Sequence, residues 1–192
     1  MRPYVRHPRR PPEVDALLAE LDAHGVDFVV TGSVAVKLHG VALTPGDLDV
    51  VPALTPANLE RLFRALDALE ATPDGFGRWQ VDGRGERRWL AEEATEARLR
   101  AWSPAVDDRA SYDHLFRTRL GDLDVVPELN GSYDHLARRA VTVRVSAPAG
   151  GRRVRIAHVD DLLATMTVPR RERDVDKVRG LRLVQRGRSD AS

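Results

Sequence analysis

Asp47-Leu48-Asp49 and Asp122-Leu123-Asp124 stand in two copies of one heptapeptide, GDLDVVP, at 46–52 and 121–127. On an extended strand alternate residues share a face and lie about 6.6–6.8 Å apart. Each pair therefore sends two carboxylates to one side, while Leu48 and Val50, or Leu123 and Val125, turn to the other. Like charges held close repel, by about 4 kcal/mol at 4 Å and an effective dielectric near 20. A divalent cation with oxygen ligands offsets that repulsion directly. The same alternation also describes an ordinary half-buried strand with a wet acidic face.

Upstream of the first pair, Thr31-Gly32-Ser33 follows a short apolar strand and leads straight into a helical pattern. Glycine permits a tight turn and close backbone approach, and a helix start offers unpaired N–H groups to a phosphate. A plain strand–helix turn with Ser33 as N-cap uses the same residues. The segment is neither a GxGxxG fingerprint nor a Walker loop, because no lysine-serine or lysine-threonine pair follows. Together the two features are more restrictive. A Gly-Ser turn with DxD on the next strand can bring metal-bound carboxylates beside a phosphate pocket. A third carboxylate from a later strand completes a two-metal site for in-line attack at phosphorus. The second heptapeptide offers it, through Asp122 or Asp124.

Other side chains invite weaker readings. His114 and His135 sit in two copies of SYDHL, at 111–115 and 132–136, each beside an aspartate. That suits a His/Asp metal site, or simply two helix starts with serine caps. His39 either borders the pocket or closes a helix against its dipole. Trp79, Trp89 and Trp102 either stack on a base or cover the core.

The elements that must hold these groups are legible in outline. Val14, Leu17, Leu18 and Leu21 define a helix stopped by Gly25, and residues 27–30 form a strand. A helix follows from Gly32 to Gly40, then a strand over 47–51 closed by Pro52, then a helix from Thr55-Pro56 to Leu69. Four glycines punctuate 72–110, with a charged helix expected over 87–100. Strands at 116–119 and 122–126 precede a helix from Ser132. A hairpin at 141–156 turns on Gly150-Gly151, and helices near 159–167 and 172–186 complete the pattern. Interleaved helices and strands predict an α/β (α+β) fold around a mixed sheet with a helical C-terminal part. The expected organisation is a flexible basic tail over 1–11, one domain over 12–186 and a short tail over 187–192.

The 192 residues include 30 basic and 29 acidic side chains and no cysteine. There is thus no disulfide framework, cysteine zinc site or thiol nucleophile. No apolar run approaches the ~20 residues that cross a bilayer, so a cytoplasmic protein without membrane contact is expected. The near-balanced charge excludes a bulk electrostatic grip on nucleic acid, though not a local one. Lys37 and Lys177 are the only lysines, and arginine presents a planar fork suited to phosphate and carboxylate oxygens.

Three segments, TGSVAVKLHG, TPGDLDVV and RTRLGDLDVVPEL, together resemble the nucleotidyltransferase superfamily of the DNA polymerase β type. The similarity is nearest to its bacterial toxin-type and AbiEii-like members, and the segment VDDLLATMTVPRRERDVDKV resembles their C-terminal helices. The likeness spans about 26–52 and 117–180 and leaves 72–110, a family-variable insertion, uncovered. It implies that Gly32 and Ser33 hold the triphosphate and that Asp47 and Asp49 bind two Mg2+ ions. It further implies that Asp124, in a Leu-Asp-hydrophobic strand, ligates metal and helps activate the acceptor hydroxyl. Arg171 and Arg173 match basic positions, the latter a nucleotide-binding candidate, and Asp174 an acidic one. A lysine of the pattern is replaced by Met166. The implied activity is transfer of a nucleoside monophosphate from an NTP to a hydroxyl. RNA, at a tRNA 3′ end, is the expected acceptor, the protein being a toxin with a cognate antitoxin. A small-molecule acceptor of the aminoglycoside kind, and a non-catalytic nucleotide-binding protein, are the alternatives.

Overall fold

The computed structural model describes residues 10–81, 87–92, 95–145, 151–166 and 172–189. The helices are α1 (Val14–Ala23), α2 (Gly32–Leu38), α3 (Pro56–Ala68), α4 (Glu96–Arg100), α5 (Tyr133–Arg139), α6 (Val159–Thr165) and α7 (Glu172–Ser189). The strands are β1 (Phe28–Thr31), β2 (Leu48–Pro52), β3 (Thr72–Pro73), β4 (Phe76–Val81), β5 (Arg87–Glu92), β6 (Leu115–Thr118), β7 (Gly121–Val125), β8 (Val141–Val145) and β9 (Arg152–Ile156). Seven strands make one mixed sheet in the order β3-β6-β7-β2-β1-β9-β8, and β4 with β5 forms a separate hairpin. The fold is a mixed α/β sheet flanked by helices.

The centre of the sheet determines the chemistry. β2 runs antiparallel to β1 and parallel to β7. A parallel neighbour needs a long crossover, which α3, β3, the β4–β5 hairpin, α4 and β6 supply. All five residues of β2 are buried, and both α2 and α3 pack on it. The wet acidic face expected of an isolated alternating strand is therefore absent at β2: Asp49 is only 9% exposed. Asp47 lies just outside the strand, in the bend that enters it.

Leu17, Leu18, Leu21, Leu48, Leu59, Leu62, Leu66, Phe116, Leu123, Leu136 and Ile156 are fully buried in one core. Phe116 is the largest of them, and the Trp102 ring lies 5.0 Å from its centroid. The indole N–H of Trp102 donates to the Ser111 carbonyl at 2.7 Å, so this tryptophan covers the core. Phe116→Ala is expected to cost about 3–5 kcal/mol, read as a lower urea midpoint at unchanged slope.

The stretch 87–100 departs from expectation. It is not one helix: β5 pairs antiparallel with β4, Trp79 opposite Trp89, and only Glu96–Arg100 turns helical, capped by Thr95. Cross-strand pairing decided this, since charged residues at mixed spacing carry no helical face of their own. The side chains of Trp79 and Trp89 lie outside what is described. Residues 1–9 and 190–192 are also outside it. Arg10 exchanges backbone hydrogen bonds with the Asp122 backbone and carboxylate, and Pro11 lies against Gly121.

Candidate metal centre

Register brings the carboxylates together. In the parallel pairing of β2 with β7, Asp49 stands directly beside Asp124, flanked by Leu48 beside Leu123 and Val50 beside Val125. A slip of one residue would turn Asp124 to the opposite face and set an apolar side chain beside Asp49. Asp47 reaches the same point from the bend before β2. Ligand oxygens of Asp47, Asp49 and Asp124 all lie within 4.8 Å of one another. Among the described residues this is the only group of three or more His, Asp or Glu side chains so placed. Asp122 takes no part in it; it is 3% exposed and accepts the Arg10 backbone N–H at 3.2 Å.

β1 supplies the next layer. Thr31 is the register partner of Asp49, and the chain turns at Gly32 into α2. Gly32 has φ +60°, and a Cβ built there would sit 1.9 Å from Asp49 Oδ2. Glycine is needed twice over, for the left-handed backbone and for the space the carboxylate occupies. The Ser33 backbone N–H donates to Asp49. That amide is thereby committed to the carboxylate, and the Ser33 hydroxyl is the group left over. Its Oγ is buried with no hydrogen-bond partner among the described residues. Ser33 is not the N-cap; Thr31 holds that position, with extended backbone.

Burial, then the Asp47 and Asp124 charges, push the Asp49 carboxyl well above the ordinary carboxylate range. Lys177 and the Ser33 N–H act in the opposite direction and do not cancel it. A buried carboxylate beside two others is the electrostatic situation a divalent cation relieves, and all three donors are hard oxygens of the kind magnesium takes. The residues fit the ion. Between the unfolded value near 3.8 and the raised one, the folded chain binds more protons than the unfolded chain. Stability in EDTA should therefore fall as pH rises through that window, and Mg2+ should restore it above the window. Melting curves across pH, with and without the ion, check this.

Asn130 was not foreseen. It has φ +65° in the loop between β7 and α5, a conformation asparagine tolerates better than most residues. Thr31 Oγ1 donates to its Oδ1 at 2.5 Å, and its Nδ2 donates to the Asp161 carbonyl at 3.1 Å and to Thr165 Oγ1. The residue thus ties the base of the Gly32 turn to α6. An asparagine followed by glycine marks a loop in the sequence, but its long-range partners leave no local trace.

The remaining candidates fall elsewhere. His39 closes α2 and is 8% exposed, its Nε2–H donating to the Ala157 carbonyl at 2.8 Å. His114 is buried edge-on between Phe76 and Phe116, and burial pulls its ring below the usual histidine pKa. His135 pairs with Asp161 at 3.0 Å, and Ser132 caps α5 through its hydroxyl. Ser111, by contrast, ends a short 3-10 turn and does not start a helix. Met166 ends α6 and packs against the core. Arg171 lies outside the described residues. Arg173 is on α7 with its side chain outside them, and Asp174 lies 3.9 Å from Lys177. No helix among the described residues is long and apolar enough to cross a membrane.

No family model and no curated protein matches the sequence. Among solved structures, the chain is similar to the antibiotic-resistance factor ANT(2'')-Ia, known from its solution structure. Identity is 15%, the match covers 93% of this chain and 91% of that one, and the TM-score is 0.48.

Proposed function

We propose that the protein is a metal-dependent nucleotidyltransferase, moving a nucleoside monophosphate from an NTP to an acceptor hydroxyl with release of pyrophosphate. The observation behind this reading is the convergence of Asp47, Asp49 and Asp124, from two distant segments, within 4.8 Å of one another. They adjoin the Gly32 turn and its buried, unpartnered Ser33 hydroxyl.

Asp47, Asp49 and Asp124 would hold two Mg2+ ions, which when bound supply charge neutralisation and polarisation at the reacting phosphate. Ser33 Oγ donates to a phosphate oxygen of the nucleotide, and Gly32, by leaving room for the Asp49 carboxylate, holds the phosphate-binding turn beside the metal ligands. Arg173, on α7, adds positive charge to the triphosphate. Asp124 orients the acceptor hydroxyl and takes its proton. The hydroxyl oxygen forms a bond to the α-phosphorus as the bond to the bridging α,β oxygen breaks, and pyrophosphate leaves with that electron pair. Most of the acceleration comes from alignment and from fixed charges in a partly dry site.

For the acceptor, RNA is the reading we favour, at a tRNA 3′ end, with the protein acting as a toxin held by a cognate antitoxin as in the AbiEii-like members. Arg179, Arg182 and Arg186 lie exposed along α7 and suit phosphate contacts. Incubation with Mg2+, each α-labelled NTP and total tRNA should give a labelled RNA band. Label moving instead onto an aminoglycoside would replace RNA by the small-molecule acceptor. Nucleotide binding without transfer would leave a binding protein, and absence of both would end the proposal.

A further inference from the structure

Lys177 is the side chain near the carboxylates that the sequence pattern does not assign. Lysine is among the residues most often exposed, yet the side chain of Lys177 is only 19% exposed. It stands on α7 beside the buried Val178 and one turn before the buried Leu181. Three residues on, Gly180 meets Val41, in the segment between α2 and β2 that leads to Asp47. A Cβ at Gly180 would fall 2.5 Å from Val41 Cγ1, so only glycine lets α7 seat this closely. Positions three apart on a helix share a face, so Lys177 stands on the side of α7 that meets this segment. Its ion partner on α7, Asp174, is at 3.9 Å, the outer limit of an ion pair. Its charge also acts on Asp49, opposing the Asp47 and Asp124 charges there, and among the described residues it is the cation that does so.

We propose that Lys177 is a binding residue for the triphosphate, held beside the Asp47–Asp49–Asp124 group by the seating of Gly180 on Val41. The inference rests on the nucleotidyl-transfer reading. An ammonium is a compact point charge with three donors, which suits a phosphate oxygen once the carboxylates are themselves engaged.

The test separates a phosphate contact from a counter-charge and from a packing role. Equilibrium dialysis with Mg2+ and each of the four NTPs is run on the wild type, Lys177→Gln and Lys177→Arg, and Mn2+ alone is titrated by electron paramagnetic resonance. Loss of one charged hydrogen bond predicts nucleotide binding weaker by about ten- to a hundredfold in Lys177→Gln. Mn2+ binding without nucleotide should be equal or tighter, because a competing positive charge is gone, and Lys177→Arg should regain most of the nucleotide affinity. A structural role would weaken both ligands together, and that result would overturn the proposal. So would wild-type nucleotide affinity in Lys177→Gln. If the wild type binds none of the four nucleotides, the underlying reading fails and this proposal with it.

Discussion

The Asp49→Asn substitution is expected to reduce nucleotidyl transfer by about a thousandfold or more while raising the melting temperature of the metal-free protein. The rate follows from charge stabilisation at phosphorus, where several kcal/mol are at stake and about 4 kcal/mol is a thousandfold. The stability gain follows from geometry. Asp49 is buried, faces Asp47 and Asp124, and has its carboxyl pushed up by burial and by those two charges. An amide has nearly the same shape, still accepts the Ser33 N–H and brings no charge. The same Asp49→Asn variant should also show a flatter pH dependence of stability in EDTA, since the group responsible no longer titrates. Loss of activity with loss of stability would instead mean that Asp49 is a structural residue.

The second large effect belongs to Gly32. Ala there must adopt φ +60°, costing about 1–2 kcal/mol, and its methyl group must displace the Asp49 carboxylate, whose Oδ2 lies 1.9 Å from the Cβ position. Crowding of this kind adds about 1–3 kcal/mol. A loss of about 2–5 kcal/mol in urea unfolding is a large share of the 5–15 kcal/mol typical of a domain. Transfer should fall as well, because the displaced group is one of the three carboxylates. A Gly32→Ala variant with wild-type stability would show that the carboxylate does not rest against the turn.

These two positions also show what a sequence discloses. Period-two alternation in DLDVV made β2 and β7 readable, and the Gly-Ser pair after an apolar run made the turn into α2 readable. On that basis Asp47 and Asp49 could be named, while Asp122 and Asp124 stayed open and only the family resemblance singled out Asp124. What alternation could not give is that β7 inserts parallel to β2 with Asp124 level with Asp49, because strand register depends on partners remote in the chain. Burial was misjudged for the same reason: nothing in the heptapeptide says that helices pack on β2. The β4–β5 hairpin was read partly as helix because its pairing, Trp79 with Trp89, is non-local and its charges fit more than one period. The two SYDHL copies are the plainest case. One puts Ser132 at the cap of α5, while the other sets Ser111 in a 3-10 turn and buries His114 between phenylalanine rings. Lys177 draws no role from the sequence because charge on a C-terminal helix ordinarily faces water, and the seating of Gly180 on Val41 is a contact remote in the chain.

The most direct measurement is Mn2+ binding, followed by electron paramagnetic resonance, for the wild type and for Asp124→Asn. Asp124 is remote in sequence from Asp47 and Asp49 and joins them only through the sheet, so its effect on the ion reports the assembled centre. The wild type should bind Mn2+ in competition with Mg2+, and Asp124→Asn, still folded by circular dichroism, should bind it at least about tenfold more weakly, about 1.4 kcal/mol in binding free energy. Equal Mn2+ affinity in the two proteins would contradict a shared metal centre.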